Sequence, residues 1–168
     1  IFLSEPNSLL LIKPASAACN LRCSYCFYFD HLYMETLSGT IMDESIMETM
    51  TRSFLRQPLK EFTFSWQGGE PLLAGIDFYR RALKFQEKYA KPGTLITNTL
   101  QTNGTLLSTS YADFFTENRF LLGISLDGPE EIHNLYRRDP SGNGSHRKVM
   151  AGIRSEERRV GKECRSRW

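Results

Sequence analysis

Apolar and polar residues alternate in blocks along the chain, and each block predicts a strand or a helix. Four short apolar or β-rich runs are typical of strands, and each precedes a longer stretch that reads as a helix. The predicted strands cover residues 8–13, 61–66, 94–101 and 120–126. The predicted helices cover residues 42–57, 76–89 and 110–118, and a further helix begins near Ser145. In the first helix, Asp43 is a start signal, and Ile46, Met50 and Phe54 mark the apolar face.

The order of these elements predicts an α/β fold. Strands that alternate with helices pair in parallel and are joined by right-handed crossovers. Each predicted strand is followed by a polar or glycine-containing segment, at residues 15–40, 67–71, 102–104 and 127–129. In parallel α/β folds, functional groups gather where the strands end. We therefore expect these four segments to converge on one rim of the sheet.

Composition and charge set limits on the class of protein. The chain has 168 residues, of which 40% are hydrophobic and 24% charged, so it can bury one sizeable core. No apolar run approaches the roughly 20 residues of a membrane span. The net charge is +2, but residues 154–168 hold six basic and three acidic side chains, which leaves the remainder at −1. A near-neutral body argues against nucleic-acid binding, which needs a basic face.

The two ends of the sequence bear on its domain organisation. The first residues lack both an initiator Met and the pattern of a signal peptide, so Ile1 looks like a cut. Residues 154–168 have almost no apolar periodicity and resemble the in-frame translation of a common DNA sequencing adapter; a natural basic tail is the alternative. We expect a core domain at 1–153 and a non-native, disordered tail at 154–168, in which Cys164 has no role. The natural protein is then expected to continue past Ile153, and this chain to be a fragment.

The cysteines indicate a metal or cluster site. Three of the four, Cys19, Cys23 and Cys26, lie within eight residues and have the spacing C-x3-C-x2-C. A disulfide framework would spread its cysteines along the chain, so the clustering favours metal binding in a reducing compartment. Three thiolates on a four-iron cluster would leave one iron open for a small ligand. A zinc site completed by His31 is the alternative, because structural zinc usually takes four ligands.

Five further segments, taken in order, resemble one family. A C-x3-C-x-aromatic-C motif after a first strand resembles the signature of the radical SAM superfamily, whose members cleave S-adenosylmethionine (SAM). The flanking segments resemble the anaerobic sulfatase-maturating enzymes. They are Leu-Ile-Lys-Pro-Ala-Ser (11–16), Cys-Phe-Tyr (26–28), Trp-Gln-Gly-Gly-Glu-Pro (66–71), Gln-Thr-Asn-Gly-Thr (101–105) and Ser-Leu-Asp-Gly-Pro-Glu-Glu-Ile-His (125–133). The resemblance implies the N-terminal part of a partial (β/α)6 TIM-like barrel, with about four strand–helix units present.

The resemblance also assigns cofactor contacts. It implies that Cys19, Cys23 and Cys26 hold a [4Fe–4S] cluster and that SAM is contacted by Tyr25, Gln67, Gly68, Gly69, Glu70, Ser125 and Arg137. In the family, the Gly-Gly-Glu segment binds the methionine amine, the serine lies near the ribose, the arginine meets the carboxylate, and the tyrosine lies against the adenine. Ordinary roles compete with these: a glycine turn, a satisfied strand hydroxyl, a solvated arginine pair and a core tyrosine.

Other residues are weaker candidates. Tyr28 and Gln101 are candidates to line the pocket, and Asp127 either caps a turn or supports the site. We expect His133 and His146, like His31, to be ordinary surface or loop residues. A phosphate loop is disfavoured at the glycine turn, because the G-x4-G-K-[ST] spacing is missing.

The implied reaction is oxidation of a cysteine or serine of a sulfatase to formylglycine through a 5′-deoxyadenosyl radical. The implied partners are the sulfatase polypeptide and an electron donor such as flavodoxin or ferredoxin, with no nucleic acid and no membrane, and the implied location is cytoplasmic. The family's auxiliary-cluster cysteines and general base are missing from this sequence, so we expect this chain alone to be inactive. A maturase of another ribosomal peptide, or a non-catalytic zinc or iron–sulfur module, is the alternative function.

Overall fold

The computed structural model describes the backbone of residues 7–29 and 40–165 and the side chains of residues 8–28 and 40–155. Its strands are β1 (Asn7–Ile12), β2 (Glu61–Trp66), β3 (Leu95–Thr102) and β4 (Leu121–Ile124). Its helices are α1 (Glu44–Leu55), α2 (Ile76–Tyr89), α3 (Thr109–Glu117), α4 (Glu130–Tyr136) and α5 (His146–Arg165). The strands form one parallel sheet in the order β1-β2-β3-β4. The predicted α/β fold is therefore confirmed.

The core lies between one face of the sheet and the helices. Side chains alternate across β2, so that Phe62, Phe64 and Trp66 are buried while the residues between them are half-buried. Trp66 packs edge-to-face against Phe78 and Tyr79 of α2, with ring centroids 5.9 and 5.7 Å apart. Edge-to-face pairs of this kind each contribute about 0.5–1.5 kcal/mol beyond burial. These aromatic contacts fix the position of α2 against β2, the strand that leads into the predicted glycine turn.

The opposite face of the sheet is more open. Leucines that point to this side, on three of the strands, are each more than half exposed: Leu9, Leu11, Leu95 and Leu121. Thr99 and Ser65 lie on the same side and hydrogen-bond to each other across 3.0 Å. In the part of the chain that the structure describes, the helices therefore cover one face of the sheet.

Two predictions about the helices are wrong in detail. The predicted apolar face of α1 included Ile46, but that side chain is 56% exposed, and Met47, Thr51, Phe54 and Leu55 are buried instead. The buried face is thus rotated by one residue, because packing against α2 decides it. The segment after β4 was predicted to be a polar loop, but it contains α4, a seven-residue helix with two acidic residues in its first turn.

The end of the described chain is helical. The backbone of α5 continues through Arg165. The foreign origin and disorder of residues 154–168, and the domain boundary at Ile153, stay predictions. No helix within residues 7–29 and 40–165 is long and apolar enough to cross a membrane.

Candidate functional site

The cysteine-bearing loop begins against the glycine turn that follows β2. The Gly69 N–H donates to the Ser16 carbonyl at 2.9 Å, and the Glu70 N–H donates to the Ala18 carbonyl at 2.7 Å. A Cβ atom at Gly69 would lie only 2.0 Å from the Ala18 oxygen, and one at Gly68, which has φ +125°, would lie 2.7 Å from the Ser16 oxygen. Glycine is therefore required here for the close approach of the protein's own loop, a reason that the sequence did not reveal.

The far end of the same loop is fixed by the end of α4. The Arg22 N–H donates to the Arg138 carbonyl at 2.6 Å, and the Ser24 N–H donates to the Tyr136 carbonyl at 2.9 Å. The loop that carries the three thiols is thus hydrogen-bonded to the turn after β2 and to the end of α4. Convergence of these segments on one rim follows from the parallel order of the strands.

One cavity of about 270 Å³ opens at this rim. It is lined by three thiols, by aromatic and polar side chains, and by the glycine turn: Cys19, Cys23, Tyr25, Cys26, Phe27, Tyr28, Gln67, Gly68, Gly69, Gln101, Thr102, Asn103, Ser125 and Arg137. Its size is near the lower end of the range of small-molecule pockets, about 300–1,000 Å³. Nine of the ten predicted site residues line it, and so do the weaker candidates Tyr28 and Gln101.

Glu70 is the predicted site residue that does not line the cavity. Its side chain is fully buried, and its carboxylate accepts hydrogen bonds from the Leu72 N–H at 2.9 Å, the Thr102 hydroxyl at 2.7 Å and the Asn103 N–H at 2.8 Å. Burial raises the pKa of this carboxyl, and the three hydrogen bonds oppose that shift. The carboxylate therefore joins the turn after β2 to the turn after β3.

The three thiols differ in their surroundings. Burial raises the pKa of Cys19, and it also raises the pKa of Cys23, where the Arg137 guanidinium opposes the shift. The Cys19 sulfur accepts from the Leu21 N–H at 3.4 Å and from the Asn103 amide at 3.7 Å. Electrostatic interaction with Cys26 contributes to the raised pKa of both Cys19 and Cys23. The three sulfurs are therefore close enough to interact electrostatically across the cavity.

The described side chains do not form a site for a single metal ion. Within residues 8–28 and 40–155, no group of three or more His, Cys, Asp or Glu side chains is placed to hold one. The predicted alternative of a zinc site completed by His31 lies outside the described residues and stays a prediction.

A charged cluster stands beside Cys23. The Arg137 Nε donates to Asp127 Oδ1 at 3.0 Å, and the Tyr25 hydroxyl donates to the other oxygen of the same carboxylate. Burial and this hydrogen bond raise the pKa of Tyr25 to about 12. Burial alone would raise the pKa of Asp127, but the hydrogen bonds from Tyr25 and Arg137 outweigh it and lower that pKa. Arg137 thus lines the cavity with its Nε side anchored to a carboxylate, so its orientation is fixed.

His133 is a functional-site neighbour that the sequence analysis missed. It was expected to be an ordinary surface or loop residue, but its side chain is fully buried. The Asp127 N–H donates to Nδ1 at 3.3 Å, and Nε2 lies 2.9 Å from the Ser145 hydroxyl, which itself donates to the Arg137 carbonyl at 2.8 Å. The arrangement requires the Nε2–H tautomer of a neutral ring, and burial lowers the pKa accordingly.

Ser125 and Gln101 form the cavity wall at the end of the sheet. The Gln101 amide nitrogen donates to the Ser125 hydroxyl at 3.0 Å. A Cβ atom at Gly123 would lie 2.2 Å from the Gln101 side-chain oxygen, so glycine on β4 makes room for this side chain. Ser125 thus lines the cavity with its hydroxyl held by Gln101.

Comparisons with known proteins agree with this geometry. The chain is 46% identical over 146 residues to a cysteine-type anaerobic sulfatase-maturating enzyme of Clostridium novyi, an alignment that covers 86% of this chain and 39% of that protein. It is 41% identical over 146 residues to a serine-type anaerobic sulfatase-maturating enzyme of Bacteroides thetaiotaomicron, covering 86% of this chain and 35% of that protein. The chain thus spans about two fifths of the length of the curated relatives it matches.

A solved structure gives the same picture. Native anSMEcpe with bound AdoMet and the Cp18Cys peptide superposes with a TM-score of 0.83 at 42% identity, covering 91% of this chain and 40% of that one. The four-strand parallel sheet is accordingly part of a TIM-like barrel of the kind predicted. The profile of the radical SAM superfamily matches residues 14–160. The chain belongs to the radical SAM superfamily, whose members use a [4Fe–4S] cluster and SAM.

Proposed function

We propose that this chain carries the radical-generating site of an anaerobic sulfatase-maturating enzyme, which oxidises a cysteine or serine of a sulfatase to formylglycine. The observation that carries the proposal is a single cavity lined by Cys19, Cys23 and Cys26 together with Ser125 and Arg137. The similarity to both cysteine-type and serine-type enzymes supports the reaction and leaves both substrate residues within the proposal.

The donor set at this cavity fits a [4Fe–4S] cluster. Cys19, Cys23 and Cys26 supply three thiolates, which leaves one iron of a four-iron cluster without a protein ligand. Two N–H groups already donate to the Cys19 sulfur, and Arg137 places a positive charge near Cys23. Both features oppose the rise in thiol pKa that burial causes, which helps thiolate formation, and a cluster requires thiolates.

The remaining lining residues fit SAM by chemistry. The Arg137 guanidinium suits the methionine carboxylate, because its planar N–H groups pair with two oxygens. The Ser125 hydroxyl suits a ribose hydroxyl, and the backbone of Gly68 and Gly69 can approach the methionine amine closely. The Tyr25 ring, 54% exposed, offers an apolar surface for the adenine. When bound, the cluster and SAM supply one-electron cleavage of a sulfur–carbon bond, which yields methionine and a 5′-deoxyadenosyl radical.

The side chains around the cavity would act by holding the groups that bind SAM in place. Asp127 and His133 hold Arg137, so the SAM carboxylate would meet a guanidinium that needs no reorganisation. Tyr28 and the glycine turn line the cavity and would limit the access of water to the reacting centre. We include in the proposal a sulfatase polypeptide as substrate, flavodoxin or ferredoxin as electron donor, and a reducing, cytoplasmic location, since exposed thiolate clusters need reducing conditions.

The proposal includes a limit on the chain as printed. Cys164 is the only cysteine outside the C-x3-C-x2-C motif, so a further thiolate-bound cluster has no ligand set in this sequence. We expect the 168-residue chain to cleave SAM slowly at best and to form no formylglycine. Mass spectrometry of a sulfatase peptide incubated with the reduced chain checks this, and a peptide lighter by the expected oxidation mass contradicts it.

Anaerobic reconstitution with iron and sulfide tests the cluster itself. We expect about four irons per chain and the visible absorption of a four-iron cluster, both lost when Cys19, Cys23 and Cys26 are all replaced by alanine. A Cys164→Ala variant is the matched control and should keep the cluster. Stoichiometric zinc in the wild-type chain after the same treatment would overturn the proposal. Release of 5′-deoxyadenosine on reduction with SAM tests the second half of the site.

A further inference from the structure

A hydrogen-bonded network surrounds the first cysteine. Asn103 follows β3 and is 7% exposed. Its side-chain nitrogen Nδ2 lies 3.7 Å from the Cys19 sulfur and 2.9 Å from the Asn20 side-chain oxygen. Sulfur is a large, soft acceptor, so hydrogen bonds to it are longer than those to oxygen. The Gln-Thr-Asn-Gly-Thr segment thus reaches the thiol loop through the Asn103 amide and through the Thr105 hydroxyl, which accepts from the Asn20 amide at 2.8 Å. The proposed SAM site uses neither contact.

The orientation of this amide is fixed by its other partners. The Asn103 side-chain oxygen accepts from both the N–H and the hydroxyl of Thr105, at 2.9 and 2.7 Å. The Asn103 backbone N–H is held by the buried Glu70 carboxylate at 2.8 Å. Because the amide oxygen already faces two donors, a flip of the amide would place N–H groups against N–H groups. The nitrogen must therefore face the sulfur.

A donor at this position acts on the electronics of a bound cluster. One-electron reduction adds negative charge, part of which resides on the cysteine sulfurs. An N–H dipole directed at such a sulfur stabilises the reduced state more than the oxidised state, and hydrogen bonds to the sulfurs are among the factors that set cluster potentials. We infer that Asn103 is a positioning residue that raises the reduction potential of the cluster through its hydrogen bond to Cys19. This inference rests on the proposed function.

A purely structural role is the alternative, because Asn103 also forms the turn after β3. Asn103→Ser separates the two roles. A serine hydroxyl can replace the asparagine oxygen as acceptor for the Thr105 N–H, but it is too short to reach the sulfur and carries no charge. Thr105→Val is the matched control, because it removes hydrogen bonds from the same turn and leaves the Asn103 nitrogen facing Cys19.

The test is the midpoint potential of the reconstituted cluster, titrated with dithionite under argon and followed by electron paramagnetic resonance. We expect Asn103→Ser to shift the equilibrium toward the oxidised cluster by about fivefold, roughly 40 mV for a one-electron couple, the effect of losing one hydrogen bond. Thr105→Val should keep the wild-type potential. Equal shifts in both variants, or an unshifted Asn103→Ser cluster, would overturn the inference while leaving the proposed function intact.

A second measurement needs no variant. In the wild-type chain grown with asparagine labelled with ¹⁵N at the side-chain amide, the reduced cluster should show a weak ¹⁵N hyperfine coupling. Absence of that coupling overturns the inference even where Asn103→Ser fails to fold. A wild-type chain that takes up no cluster overturns the proposed function, and this inference with it, so the two failures are distinguishable.

Discussion

The two supports of the cysteine loop differ in kind. On the Cys19 side, Asn20, Glu70, Asn103 and Thr105 form a compact network of amides, hydroxyls and one buried carboxyl. On the Cys23 side, Arg137 and Asp127 form a partly exposed ion pair, and Tyr25 donates to the same carboxylate. The buried neutral ring of His133 hydrogen-bonds to the Asp127 backbone and to Ser145. The first network directs an N–H at the Cys19 sulfur, and the second presents a positive charge to the cavity. Changes on the two sides should therefore have separable effects.

The largest effect is expected on the Cys19 side, from Glu70→Ala. The change leaves three buried donors without an acceptor, from Leu72, Thr102 and Asn103. Buried donors without partners cost about 1–3 kcal/mol each, and partial relaxation leaves a net loss of roughly 4 kcal/mol in the free energy of unfolding. Urea denaturation measures this. Asp77→Ala, which removes an exposed ion pair, is the control and should change stability by under about 0.5 kcal/mol; a Glu70→Ala loss as small as that would refute the role.

His133→Ala on the Cys23 side should cost somewhat less. It removes the acceptor of the Asp127 N–H and the donor to the Ser145 hydroxyl, and it leaves a cavity beside both. We expect a loss of about 3 kcal/mol in the free energy of unfolding and weaker SAM binding by the reconstituted chain. His146→Ala is the matched control, because the His146 ring packs against the His133 ring with centroids 5.4 Å apart. SAM affinity that falls equally in both variants would argue against a positioning role for His133.

Arg137→Ala should act on ligand binding more than on folding. Loss of a bidentate pair with the SAM carboxylate is expected to weaken SAM binding by about 2 kcal/mol, or roughly thirtyfold. Arg137→Lys should recover only part of this, because an ammonium cannot pair with two oxygens in one plane. Equilibrium dialysis with the reconstituted chain gives the affinities. Arg138→Ala, at an exposed neighbour, is the matched control, and equal losses in the two alanine variants would contradict the assignment.

The smallest effect is a pH dependence at Asp127. The pKa of Asp127 is lowered in the folded chain, so its contribution to stability is fully present above the unfolded pKa of about 3.9 and is lost as pH falls through the folded pKa. The stability difference between wild type and Asp127→Asn should therefore be constant near neutral pH and shrink in acid. Urea denaturation across that pH range measures it. A difference that grows as the pH falls would have the wrong sign.

Local patterns predicted the fold better than they predicted contacts. The bounds of β2 and α2 were predicted to the residue, because alternation and helical spacing are sharp there. α4 was missed, because seven residues are too few to show a period. The buried face of α1 depends on where α2 packs, and this information lies outside the α1 segment.

The residues of the candidate site also differ in whether the sequence could predict their roles. The resemblance to the radical SAM family implied that Ser125 and Arg137 would lie at one site with the three cysteines, and the structure places all five residues at one cavity. The roles of Glu70, Asn103 and His133 depend on partners up to 84 residues away. Residue type alone does not show that the Glu70 carboxylate accepts three hydrogen bonds from within the protein, or that the His133 side chain is fully buried.

Mössbauer spectroscopy of the chain reconstituted with ⁵⁷Fe tests the central claim most directly. Cys19, Cys23 and Cys26 would leave one iron of a [4Fe–4S] cluster without a protein ligand, in a cavity that Arg137 and Ser125 also line. We predict that added SAM changes the spectrum of one iron and leaves the other three unchanged, and that Arg137→Ala weakens this response. A spectrum that SAM does not alter, or a site that holds zinc in place of iron, would contradict the account.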